Sequence, residues 1–97
     1  MSVPDFRKIA DFFNALSHPV RVNIVMELLN NKKCVDDIRE LVNVRQPNVS
    51  QHLSVLKSCG IVECYPDKKT KCYFLKNPQL MKDILNAMKT DKIHYFK

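Results

Sequence analysis

A single glycine in 97 residues leaves the chain short of the residue that turns most freely, so it should be rich in helix. Although 45% of the residues are hydrophobic, no apolar run approaches the ~18 residues that a membrane-spanning helix requires. The opening residues MSVPDFRK carry no apolar stretch followed by a cleavage site. No signal peptide is expected, and the location should be cytoplasmic. No repeat, low-complexity segment or interdomain linker divides the sequence, which reads as one domain over residues 1–97. Cys34, Cys59, Cys64 and Cys72 show no pair at the close spacing of a zinc knuckle, and a cytoplasmic chain keeps its thiols reduced. Paired carboxylates, a glycine-rich phosphate loop and a Cys/His pair at motif spacing are all missing, which removes the usual routes to catalysis. The chain is not expected to be an enzyme, and no cofactor is implied. Acidic residues are the minority charge. Sixteen Lys and Arg stand against ten Asp and Glu, a net charge of +6 that favours a polyanionic partner.

What is present is apolar periodicity of the helical kind. Pro4 opens a first helix over residues 4–16, in which Phe6, Ile9, Ala10, Phe13 and Leu16 form one apolar stripe. Phe12 lies off that stripe and predicts a second buried face. Ser17 is placed as N-cap and Pro19 in the first turn of a second helix. There Val20, Val22, Ile24, Val25, Leu28 and Leu29 are apolar on most sides, as in a central buried helix. After a polar connection, Cys34 takes an N-cap-like position ahead of VDDIRELV, a short amphipathic helix from Val35 to Val42. Asp36, Asp37 and Glu40 suit its positive end. Asn77 and Pro78 announce a last helix over residues 78–89, with Leu80, Met81, Ile84, Leu85 and Met88 on one face. The tail TDKIHYFK extends that helix or frays.

The most telling stretch is QPNVSQHLSVLKSCGIV, from Gln46 to Val62. Val49, Leu53 and Leu56 fall at i, i+4 and i+7 and make a stripe for a core. Pro47, Gln51, Ser54 and Ser58 lie opposite, flanked by Ser50 and Lys57, and side chains of this kind hydrogen-bond base edges and phosphates. Gly60 stops the helix. IVECYPDKKTKCYFL then reads as strand, basic turn, strand, with Lys68, Lys69 and Lys71 at or near the tip and only Asp67 against them. A positive tip suits the phosphate backbone. With the turn centred on Asp67 and Lys68, Cys64 faces Lys71 and Cys72 faces Glu63, the two thiols on opposite sheet faces. A short helix, a tight connection through Asn43, Val44 and Arg45, a second helix and a basic hairpin make a winged helix-turn-helix. The expected fold is mainly α, about five helices plus a small two-stranded β-hairpin, the wing.

From Ala15 to Leu75 the ordered run ALSHPVRVNIVMELL, CVDDIRELV, QPNVSQHLSVLKSCGIV and a wing ending YFL resembles the ArsR/SmtB family of winged-helix repressors. The resemblance implies a homodimer whose first and last helices pair across a two-fold axis. It implies a sequence-specific repressor of transcription, bound to double-stranded DNA and released by an inducer that the sequence does not name. A two-fold dimer presents its recognition helices about one turn of DNA apart, so the operator should be pseudo-palindromic. By match to the family's recognition helix, Asn48, Ser50, Gln51 and Ser54 are candidates for base edges. Arg45 stands where the family has a capping serine and is a candidate for a phosphate. Gln46, Lys57, Lys68, Lys69 and Lys71 complete the expected DNA-binding set. His52 matches the family's histidine but points near the core stripe, where a packing role fits it.

Metal-responsive members carry C-V-C-D-[LI] at the start of the third helix, and here the residues are Cys34-Val35-Asp36-Asp37-Ile38. A soft ion wants two or three thiolates, yet an aspartate replaces the second cysteine and the N-terminal arm has none. The adjacent aspartates also oppose a thiolate. Cys34 is therefore a weak candidate, and no metal site is expected. The family's second metal site, on the last helix, needs His and carboxylate ligands. Asp83 and His94 are eleven residues apart, roughly 16 Å of helical rise, and His18 reads as a helix-start residue. Redox-sensing members use one cysteine near the second helix and one on the last helix, which here has none. A bridge from Cys34 to Cys64 or Cys72 would have to join core and wing and is not expected, and Cys59 should be inert packing. Two other readings stay open. One is a thiol-, redox- or metal-responsive sensor using Cys34. The other is a winged-helix protein-interaction module, which needs apolar anchors on the outer recognition face, where only Val55 partly qualifies.

Overall fold

The computed structural model describes residues 3–29, 33–34, 37–38 and 48–88. Helix α1 (Phe6–Ala15) starts two residues after Pro4, because Asp5 is its N-cap and accepts the Lys8 N–H at 3.2 Å. Helix α2 (Pro19–Leu28) is capped by His18, whose Nδ1 accepts the Val20 N–H at 3.1 Å. Ser17, expected in that role, instead donates its hydroxyl to the Asn14 carbonyl at 2.6 Å and closes α1. Pro19 takes the first helical position, where its missing N–H costs nothing.

A short strand follows, β1 (Lys33–Cys34). Cys34 is thus a strand residue and not a helix cap. The helix expected from Val35 to Val42 falls largely outside the described residues, as do the connection through Asn43, Val44 and Arg45 and the tail after Met88. Asp37 and Ile38 are helical, and Ile38 is buried.

Helix α3 (Val49–Ser58) buries the stripe read from its sequence: Val49, Leu53 and Leu56 are each no more than 1% exposed. Its end is a Schellman motif. The Ile61 N–H reaches the Leu56 carbonyl and the Gly60 N–H the Lys57 carbonyl, each at 3.0 Å, with Gly60 at φ +75°. Only glycine adopts that backbone freely, so the chain turns there and enters the hairpin.

Strands β2 (Val62–Asp67) and β3 (Thr70–Leu75) pair antiparallel, and β1 adds to the far edge of β3, giving a three-stranded sheet in the order β1-β3-β2. The wing therefore carries one strand more than expected. Its register also differs: Asp67 pairs with Thr70, so the loop is Lys68–Lys69, Cys64 faces Tyr73 and Cys72 faces Tyr65. Moving the turn by one residue shifts the pairing by two, which preserves the sheet faces. The two wing thiols do lie on opposite faces.

Helix α4 (Pro78–Met88) begins as read, with the Asn77 side chain accepting the Leu80 N–H at 3.1 Å. The core joins Ile24, Val25 and Leu28 of α2 to α3, the base of the hairpin and Met81 and Leu85 of α4. Met81 and Leu85 thus pack inside their own chain. On α1 the apolar stripe is turned out: Phe6, Ile9 and Phe13 are exposed, while Phe12, Ala15 and Leu16 face the core. None of the helices is long and apolar enough to cross a membrane, among the described residues.

Candidate nucleic-acid interface

With its stripe buried, α3 presents Ser50, Gln51, Ser54, Lys57 and Ser58 to solvent. Val55 is half-buried and packs against the core, so this outer face offers no apolar anchor. The helix lies beside the wing across an open groove of about 700 Å³, lined on one side by Ser50, Ser54 and Lys57. Lys68, Lys69, Thr70 and Lys71 line the other side, with Tyr73 and Cys64 at the floor of the hairpin. Six of the ten expected DNA-binding residues meet in this groove. Asn48 and Gln51 are exposed on the same helix but outside the groove lining, Asn48 as N-cap with no side-chain cap hydrogen bond. Arg45 and Gln46 lie outside the described residues.

Electrostatics concentrate positive charge here. Among the described residues, Lys68, Lys69 and Lys71 form no ion pair, and the one ion pair found joins Lys76 to Glu63 at 4.0 Å. Lys57 leans on Cys64, whose thiol is the main cause holding the lysine pKa above its ordinary value, with Glu63 and Tyr73 adding to it. Burial, then the neighbouring Cys64, raises the Tyr73 phenol, so that ring stays neutral. Thr70, Tyr73 and Cys64 had no signal in the sequence. Cys64 and Tyr73 reach the groove as a direct cross-strand pair on one sheet face, while Thr70, paired with Asp67, reaches it from the tip end of β3 beside the loop lysines. The Thr70 hydroxyl is buried without a hydrogen-bond partner, an acceptor and donor at the groove edge.

The helix is anchored from behind through His52, 8% exposed. Arg21 Nε donates to His52 Nδ1 at 3.2 Å, and the Arg21 fork also reaches the Ala15 carbonyl at 3.4 Å. The His18 and His52 rings pack against each other at a tilt of 49°, with centroids 4.4 Å apart. Burial, then the proximity of His18 and Arg21, holds the His52 pKa below its ordinary value. A neutral imidazole is what Arg21 requires, since only then can Nδ1 accept. His52 therefore packs, as its position near the stripe implied, and ties α3 to α2.

The cysteines depart furthest from expectation. Cys34 is the direct cross-strand partner of Cys72, with the two Sγ atoms 3.1 Å apart. The Cys72 thiol also donates to Asp67 Oδ2 at 3.4 Å. Its pKa is pushed up to about 11, first by the Cys34 contact, then by burial and Asp67. The contact between Cys34 and the wing that the sequence argued against is thus made, because β1 joins the wing sheet directly. Cys59 is half-buried, with its Sγ 3.7 Å from the Asp11 carbonyl, a packing position between α3 and α1.

Comparison with known proteins places this architecture. The family described as bacterial regulatory protein, arsR family, matches residues 18–63. The HTH-type transcriptional repressor SmtB of Mycobacterium tuberculosis is 35% identical over 89 residues, which cover 88% of this chain and 66% of that one. This chain therefore spans slightly under two thirds of that relative's length. The crystal structure of the transcriptional repressor BigR from Xylella fastidiosa superposes with a TM-score of 0.73 at 30% identity, covering 89% of this chain and 91% of that one. A homodimeric winged helix-turn-helix DNA-binding domain from Mycobacterium bovis shares the fold, with a TM-score of 0.78 at 20% identity over 95% of this chain and 90% of that one.

Proposed function

Since the chain belongs to the ArsR family of bacterial regulatory proteins, we propose that it is a homodimeric, sequence-specific DNA-binding repressor of transcription. The observation that carries this reading is the groove in which Lys57, Lys68, Lys69 and Lys71 converge beside the polar face of α3. In the proposed complex α3 enters the major groove, with Asn48, Ser50, Gln51 and Ser54 toward base edges. The wing lysines track the adjacent phosphates, and Arg45 and Gln46, just ahead of α3, extend that contact. The chain acts by binding and not by catalysis, and its place is the cytoplasm, where the DNA is.

The homodimer rests on the exposed stripe of α1. Phe13 lines an apolar groove of about 800 Å³ together with Pro19, Val22, Met26, Ile84 and Met88. An exposed apolar surface of that kind marks a protein contact, and a second copy supplies the same stripe by two-fold symmetry. Two copies then present two α3 helices to an inverted repeat, and occupancy of that repeat blocks a promoter.

The test is DNA binding by the purified chain, on its own promoter and on random duplex, across salt. A dimer brings two sets of the four groove lysines, enough for affinity to fall by about 10³-fold or more between about 50 and about 200 mM salt. The promoter should bind more tightly than random duplex at every salt. Equal affinity for both duplexes, or no dependence on salt, would refute the reading.

A further inference from the structure

We propose that Cys34, Asp67 and Cys72 form a binding site for a soft or borderline divalent cation of the zinc and cadmium class. The donors come from three strands: Cys34 from β1, Cys72 opposite it on β3, and Asp67 from the tip end of β2. Their ligand atoms, two sulfurs and a carboxylate oxygen, all lie within 4.8 Å of one another. The register brings them to one face, because Cys72 pairs with Tyr65, and Asp67 follows Tyr65 by two residues on the same strand.

The dimensions suit the ion. A zinc–thiolate bond of about 2.3 Å in tetrahedral geometry sets two sulfurs roughly 3.8 Å apart. The Sγ···Sγ distance of 3.1 Å reaches that by small side-chain rotations. Asp67 Oδ2, 3.4 Å from Cys72 Sγ, then becomes the third ligand. Asp67 is exposed and in no ion pair among the described residues, so the fourth position opens to water. Two thiols select for a soft or borderline ion over magnesium or calcium. On binding, both thiol protons leave to solvent, and two thiolates with one carboxylate face a charge of +2.

This ligand set does not use the position at which Asp36 interrupts the Cys-Val-Cys motif of metal-responsive relatives. It pairs Cys34 with a wing cysteine 38 residues further along the chain, so no local spacing announces it. An ion here would fasten β1 to the wing. The site stands independently of the reading as a DNA-binding repressor, since it is defined and tested without DNA.

The experiment is titration of cadmium chloride into the full chain, reduced and stripped with chelator, followed by the ultraviolet thiolate-to-cadmium charge-transfer band. One cadmium per chain is expected, with Cys34→Ser and Cys72→Ser each abolishing the band and Cys59→Ser and Cys64→Ser leaving it intact. Loss of an outer-shell partner alone typically weakens metal affinity ten- to a hundredfold, so Asp67→Asn should cost at least about tenfold. Should a serine variant fail to fold, alkylation of the unmodified chain decides the matter: zinc must protect Cys34 and Cys72, leaving Cys59 and Cys64 to react. No band in the stripped reduced chain, a band surviving Cys72→Ser, or protection of a different pair would overturn the site. So would loss of two free thiols without metal and their return on reduction, which would make the pair a cystine.

Discussion

Helices α1 and α3 are each ten residues long and amphipathic, yet they turn opposite faces to solvent. Helix α3 buries Val49, Leu53 and Leu56 and shows serine, glutamine and lysine. Helix α1 buries Phe12 and Ala15 on one side and shows Phe6, Ile9 and Phe13 on the other. The difference tells what each face is for. Polar groups beside the wing lysines suit a hydrated polyanion, which offers acceptors and charge. An exposed aromatic and aliphatic stripe has nothing to gain from water or phosphate and suits a surface of its own kind.

The largest effect should come from placing a charge on the apolar face. Phe13→Glu would put an unpaired carboxylate into the proposed dimer contact, where taking a lone charge out of water costs several kcal/mol. Sedimentation should show a folded monomer, and operator affinity should collapse because two half-sites no longer bind together. Leu85→Glu is the contrasting case. Leu85 is a core residue, so that change should unfold the chain itself, beyond any effect on dimerisation. A Phe13→Glu chain that stays dimeric would break the comparison on its apolar side.

Next in size is Gln51→Ala on the polar face. A side chain that reads a base edge gives about 1–3 kcal/mol of discrimination, and its loss should bring the promoter closer to random duplex. Lys69→Ala should behave differently, weakening both duplexes alike and lowering the salt slope by about 1 per half-site. Identical behaviour of the two variants on both duplexes would mean that helix and wing do not divide the work.

A smaller effect separates stability from binding within the wing. Lys68 has φ +58°, at the first position of a two-residue hairpin loop where glycine is preferred. A left-handed non-glycine residue costs about 1–2 kcal/mol. Lys68→Gly should therefore raise stability in a denaturant titration by about 1 kcal/mol while lowering affinity for any DNA. If the variant gains in both, the lysine is not there for its charge.

How far the sequence reached can be judged on these same elements. The α3 stripe, the Gly60 stop, the Asn77 cap and the positive wing tip were legible, because each depends on neighbours within a turn or two of chain. Which side of α1 would face the core was not, since periodicity groups residues on a face without saying what covers it. Strand β1 was invisible for another reason: two residues cannot show an alternation, and its pairing with β3 is a contact between distant regions of the chain. The wing register slipped because Lys68–Lys69 carries none of the glycine or asparagine that marks a hairpin loop. With β1 and the register missing, the meeting of Cys34, Cys72 and Asp67 could not be foreseen.

The smallest effect concerns how firmly the polar face is held from behind. His52 has an ordinary pKa of 6.5, and in the folded chain burial, His18 and Arg21 hold it lower. Between the folded value and 6.5 the unfolded chain binds more protons, so stability rises with pH in that window and is lost as pH falls through it. Protonation also makes both ring nitrogens donors and ends the Arg21 bond to Nδ1. Thermal unfolding measured from about pH 7.5 down to about pH 5.5 should therefore show a falling midpoint, with DNA affinity weakening in parallel. His52→Gln keeps an acceptor for Arg21 without a titrating ring, and should flatten that dependence. An unchanged slope in His52→Gln would move the pH sensitivity elsewhere and leave α3 anchored by packing alone.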